Sequence, residues 1–238
     1  MLIRKFFSGL ILLTSIAIGL VGCGSDEGDG LAATPGQQRL GEATALGLEQ
    51  LAAAVERFFE LPDAIEDPGM PPVGISYDST NSAFVIEIDF DAVPGSDTTL
   101  SGNVVGTSGN LADGFDVFEA FTVDWSVSGA FTGNGSLKFS LAAVDDLTVE
   151  GQGTLTATAS TFIFSIRNRI HFDPRAASLT IPVTAVLGRG GVMEIDVAAG
   201  GDTLLGTMYL TPEEAFVEYA PGKFFYIDYD FFEVFFED

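Results

Sequence analysis

Two hydrophobic periods divide the chain. From Gln37 to Glu60, Leu48, Leu51, Ala52, Val55, Phe58 and Phe59 recur at helical spacing, so one helix face is apolar. Glu42, Glu49, Glu56 and Glu60 populate the other side, which predicts a docked amphipathic helix over 37–60. Pro35-Gly36 reads as a break before it, Leu61-Pro62 ends it, and Pro68, Pro71 and Pro72 mark a rigid connection. From Val73 onward the period becomes two. Phe84, Ile86, Ile88 and Phe90 alternate with Val85, Glu87, Asp89 and Asp91, and Phe121, Val123, Trp125 and Val127 with Thr122, Asp124, Ser126 and Ser128. Asn134-Gly135, within Thr132–Ser136, offers hairpin chemistry, because both residues tolerate positive φ. Gly151 and Gly153 fall on the apolar parity of Leu147, Val149 and Leu155 and suggest a bend or bulge.

Similar runs continue to Tyr229, giving roughly ten to twelve strands with short connections. The expected class is mainly β: an antiparallel meander forming a curved sheet, sandwich or partly open barrel, with one N-terminal amphipathic helix packed on it. A transmembrane barrel also alternates. The helix and strands mostly shorter than the ~9–11 residues of a spanning strand argue against it. The segment Phe224–Phe236 carries aromatics on both strand parities. It closes the core, or leaves an aromatic patch for a partner or membrane surface.

The start of the chain has a third pattern. Met1–Lys5 is short and basic, Phe6–Leu20 is almost wholly apolar, and Leu20-Val21-Gly22-Cys23 follows. Such zones describe a secretory signal. An uncleaved helix is the alternative, Phe6–Gly22 barely reaching the ~17 residues that spanning requires. The last four residues resemble the lipobox of bacterial lipoproteins. The resemblance implies a diacylglycerol on the thiol of Cys23 and cleavage before it. It covers only the leader. In that family Asp after the cysteine can retain the protein at the inner membrane; Gly24 here leans towards the outer membrane. The implied organisation is a signal peptide at 1–22, a lipidated cysteine and flexible acidic tether at 23–36, and one β-rich domain at 37–238.

Composition narrows the chemistry. Cleavage leaves 238 − 22 = 216 residues, with 10 − 2 = 8 basic side chains against 34 acidic ones, a net −26. That charge repels nucleic acid and anionic headgroups, so membrane contact is expected through the acyl chains. With Cys23 acylated no disulfide is available, and the domain relies on a core supplied by 21 Phe.

His171 is the single histidine, within Arg167-Asn168-Arg169-Ile170-His171. Its structural reading pairs this basic cluster with carboxylates on neighbouring strands. Its functional reading is an anion or substrate contact, and Asn168 marks a bulge or a polar anchor. No G-x-S-x-G elbow occurs, and one histidine without a free thiol cannot assemble the usual catalytic zinc site. Calcium needs only oxygen ligands, and Glu87, Asp89 and Asp91, Asp228 and Asp230, or Asn110, Asp113 and Asp116 around Gly114 supply them. None matches a calcium-loop motif, so no catalytic, cofactor or metal residue is expected and Cys23 is the one modification site. The expected role is a non-catalytic structural or interaction module of the cell envelope, partnered by membrane lipid and an envelope protein. The alternative is a carrier for a lipid or other hydrophobic ligand between sheet and helix, which requires a cavity of at least ~300 Å³ there.

Overall fold

The computed structural model describes residues 33–58, 60–67, 69–89, 97–108, 120–143, 146–166, 191–211, 214–229 and 231–237. Two helices come first, α1 (Pro35–Phe58) and α2 (Leu61–Glu66). Twelve strands follow: β1 (Ile75–Asp78), β2 (Ala83–Asp89), β3 (Asp97–Ser108), β4 (Ala120–Ser128), β5 (Thr132–Ala143), β6 (Asp146–Ala157), β7 (Ser160–Ile166), β8 (Val192–Ala199), β9 (Asp202–Leu210), β10 (Glu214–Ala220), β11 (Lys223–Asp228) and β12 (Val234–Phe236). They form one open antiparallel sheet in sequence order, so every strand pairs with its chain neighbours. β3, β5 and β6 run to 12 residues each, longer than the sequence pattern suggested.

α1 begins two residues earlier than its apolar spacing predicts, and the cap explains why. The Thr34 backbone N–H donates to Gln37 Oε1 at 2.7 Å, and the Gln37 N–H donates to Thr34 Oγ1 at 3.2 Å. That is a reciprocal capping box with Pro35 at the first helical position, where its missing N–H costs nothing. The same tolerance corrects the reading of Leu61-Pro62 as a simple stop. α1 ends at Phe58, and Pro62 lies in the first turn of α2, whose Leu61 and Ala64 are buried. Arg57 ties this corner together, pairing with Glu60 and donating to the Val73 carbonyl at 2.7 Å.

Alternation sends one face of the sheet into a core with α1. Phe58 meets Phe84 and Phe139 edge-on, with ring centroids 5.9 and 6.3 Å apart. Phe121 stacks on Phe139 at 4.8 Å. Fully burying each such ring contributes about 2–3 kcal/mol. α1 touches β2, β7, β8, β9 and β12, and its Gly47 lies directly against the Phe162 ring. Outside the core, Arg39 pairs with Asp202 at 2.5 Å, an exposed bridge worth at most about 1 kcal/mol.

Asn134-Gly135 is not a hairpin turn. The chain reverses at Gly129–Phe131, and both residues lie well inside β5, paired with Ser126 and Trp125. Nor do Gly151 and Gly153 break the ladder: Gly151 pairs with Leu137 and Gly153 with Gly135, with no register slip between them. Register explains Gly135 and Gly153. Phe84, Gly102, Trp125, Gly135, Gly153, Phe164 and Ile195 form one row across β2 to β8 on the core face. A Cβ on Gly135 would stand 2.5 Å from the indole of Trp125, and one on Gly153 2.7 Å from it. The glycines make room for the only tryptophan of the chain, which lies flat against Phe164 with centroids 6.5 Å apart.

Candidate functional site

The opposite face of the sheet is open to solvent and carries a furrow of about 780 Å³. Its floor is the backbone of the glycine row. Two cross-strand rows flank that floor. One runs Ser101, Ser126, Asn134, Thr154, Ile163, Asp196 and Leu205; the other runs Asn103, Asp124, Ser136, Gln152, Ser165 and Glu194. Register alone brings these thirteen side chains from seven strands together. They are hydroxyls, amides and carboxylates apart from Ile163 and Leu205, and among the described residues the lining contains no Lys or Arg. Ser101 and Ser126 hydroxyls already face one another at 3.2 Å. The arrangement can accept and donate many hydrogen bonds to a hydroxyl-rich surface.

An aromatic ladder continues this outer face towards the end of the sheet. Tyr209 on β9 stacks on Phe216 on β10 at 5.0 Å, and Tyr226 on β11 follows at 6.1 Å. Phe235 on β12 pairs with Tyr226 in register. The Tyr226 hydroxyl donates to Glu237 Oε2 at 2.6 Å, which raises its pKa. The C-terminal aromatics thus divide by parity: Phe225 and Ile227 enter the core while Phe224 and Tyr226 stay outside it. Val234 and Phe236 turn towards Gly41 of α1, whereas Phe231 is 77% exposed and Phe235 53%. Phe231 and Phe235 border a second groove of about 610 Å³ with Glu42 and Glu49 of α1. Burial pushes the Glu49 carboxyl up, as it does for Glu56, where Glu60 adds to the rise. Burial also holds the Tyr229 hydroxyl in its protonated form, well above the ordinary phenol range.

Between α1 and the sheet the packing is close. Gln50, Ala54, Trp125, Phe131 and Leu155 border a void of about 10 Å³, at most the room of one water.

Cys23, the tether up to residue 32, Asn110, Asp113, Asp116 and the Arg167–His171 cluster with Asn168 lie outside the described residues, as do Asp91 and Asp230; Pro35 and Gly36, expected in the tether, belong to α1. Glu87 sits on β2 and Asp228 on β11, far apart in the strand order. Among the described residues no three His, Cys, Asp or Glu side chains are grouped to hold a metal ion, and no helix is long and apolar enough to cross a membrane. The furrow was missed from the sequence. Its residues look like ordinary outward positions until register aligns them, and the glycines beneath are the only local signal. No family model matches the chain, and no curated protein or solved structure matches it either.

Proposed function

We propose that this chain is a cell-envelope lipoprotein, anchored through lipid on Cys23, and that its domain is a non-catalytic interaction module whose contact surface is the outer face of the sheet. The furrow across β3 to β9 carries the reading, because seven strands present a continuous polar surface there, backed by a packed core. The finer architecture we propose is a sheet curled around α1 as a partly open barrel, since α1 reaches strands as distant in order as β2 and β12. The basic and apolar leader followed by Leu20-Val21-Gly22-Cys23 supports the anchor, with the outer membrane favoured by Gly24. The carrier reading stands second, because the void between α1 and the sheet, about 10 Å³, falls far short of a ligand chamber.

One set of cells tests both parts. Labelled palmitate is expected to enter the chain and to vanish from Cys23→Ser, which should also leave the membrane fraction. A photo-crosslinking residue at Ser126 should give an adduct in intact cells, and one at the exposed Thr80, in the β1–β2 turn outside the furrow lining, should not. Unchanged labelling and membrane attachment in Cys23→Ser would remove the anchor. No adduct at Ser126, or equal adducts at both positions, would remove the module.

A further inference from the structure

We propose that the furrow binds an extended, uncharged polysaccharide strand. The proposal rests on the module reading and specifies its partner. Three observations lead there.

The chemistry comes first. Side chains such as Asn134, Gln152, Ser126 and Asp124 match the vicinal hydroxyls of a sugar, which both donate and accept hydrogen bonds. With no cation among the described lining residues, and Asp124, Glu194 and Asp196 among them, an anionic polymer meets repulsion at the site as well as from the chain's net charge of −24. The second observation is the apolar minority. Ile163 and Leu205 share one row, 42% and 82% exposed, and Tyr209 lies on the same face of β9 as Leu205 with its ring stacked on Phe216. Such surfaces suit the C–H faces of pyranose rings, and the Tyr209 ring is braced by its stack on Phe216.

Shape is the third. Seven strands at about 4.8 Å spacing make a trough about 29 Å long, which fits a polymer rather than a small compact molecule. A polypeptide strand fits less well. The backbone groups of β3 to β9 are engaged in the ladders, so a peptide lying across them finds no main-chain partners for its own N–H and C=O groups. A glycan brings no such groups. The floor is rigid, its glycine row packed on the Trp125–Phe164 stack, so little ordering opposes binding.

The test uses the full chain in a polyoxyethylene detergent, which has no sugar headgroup. Affinity electrophoresis is run through gels holding laminarin, galactomannan, dextran, the neutral polysaccharide fraction of the host envelope, or alginate. At least one neutral polymer is expected to retard the protein, and alginate is not. Asn134→Ala with Gln152→Ala should weaken retardation at least tenfold, Tyr209→Ala should weaken it also, and Thr80→Ala should leave it unchanged. Coincident thermal melts establish that each variant is folded. No retardation by any neutral polymer, retardation by alginate alone, or indifference to the Asn134/Gln152 pair would overturn the proposal. A purely polypeptide adduct at Ser126 without retardation would overturn the glycan and spare the module, whereas absence of any adduct removes the module itself.

Discussion

Gly47 is more constrained than a helical glycine on solvent. A Cβ at that position would overlap the Phe162 ring, so the helix approaches β7 as closely as a backbone without side chain allows. In an open helix, Gly→Ala stabilises by about 1 kcal/mol. Here the added methyl overfills a packed contact, at a cost of about 1–3 kcal/mol. Gly47→Ala is therefore expected to lower stability in a urea titration by up to about 2 kcal/mol, the propensity gain offsetting part of the clash. A stabilised variant would mean that α1 does not lie against Phe162. The same reasoning separates two kinds of glycine. Gly201, at φ +93° with nothing within 4 Å of a built Cβ, is needed for its backbone conformation, whereas Gly47 is needed for space.

At the scale of the strand, Gly135 carries the corresponding prediction. Trp125 is the only tryptophan and 4% exposed, so its emission reports on the floor of the furrow alone. Gly135→Ala should push the indole from its seat beside Phe164 and shift the emission to longer wavelength, with a cost of about 1–3 kcal/mol; an unchanged spectrum would place the tryptophan elsewhere. Alternation alone made the strands legible, because Phe121, Val123, Trp125 and Val127 can only face one way once Thr122, Asp124 and Ser126 face the other. The same local view misjudged Asn134-Gly135. A glycine may signal left-handed backbone or the absence of a side chain, and which one applies depends on what lies opposite. Trp125 lies opposite Gly135, ten positions back along the chain, and only register reveals that. The polar furrow escaped for the same reason, since Ser101, Asn134 and Asp196 are unremarkable singly and become one row only when β3 to β8 are aligned. The capping box at Thr34 and Gln37 was readable in the sequence, but the Pro35-Gly36 pair drew attention as a breaker.

For the whole molecule, charge governs the response to solution conditions. The chain carries −24 at neutral pH, and burial raises the carboxyls of Glu49 and Glu56 above the ordinary glutamate value of 4.5. A carboxyl with a folded pKa above its unfolded one binds its proton more tightly in the folded state. Its stabilising contribution is full below 4.5 and is lost as pH rises through the elevated value. Melting temperature should therefore fall as pH rises from the ordinary glutamate range through the elevated values of Glu49 and Glu56, salt should recover part of the loss, and Glu49→Gln should flatten the slope. A profile that rises with pH, or that Glu49→Gln leaves unchanged, would mean other groups control it. The pure meander has a different consequence, one of timing. Each strand finds its ladder partner as soon as the next is made, so the sheet can grow by closures between chain neighbours, the longest of them from Ile166 to Val192. α1 is the exception. It is synthesised before every strand, yet its neighbours include β7, β8, β9 and β12, the last of which ends at Phe236. The side of α1 that meets β7, β8, β9 and β12 therefore stays uncovered until nearly the whole chain has emerged, a wait during which the helix is a natural handle for a chaperone. The first element made is among the last to be housed, and completion of the domain is thereby tied to arrival of its C-terminus.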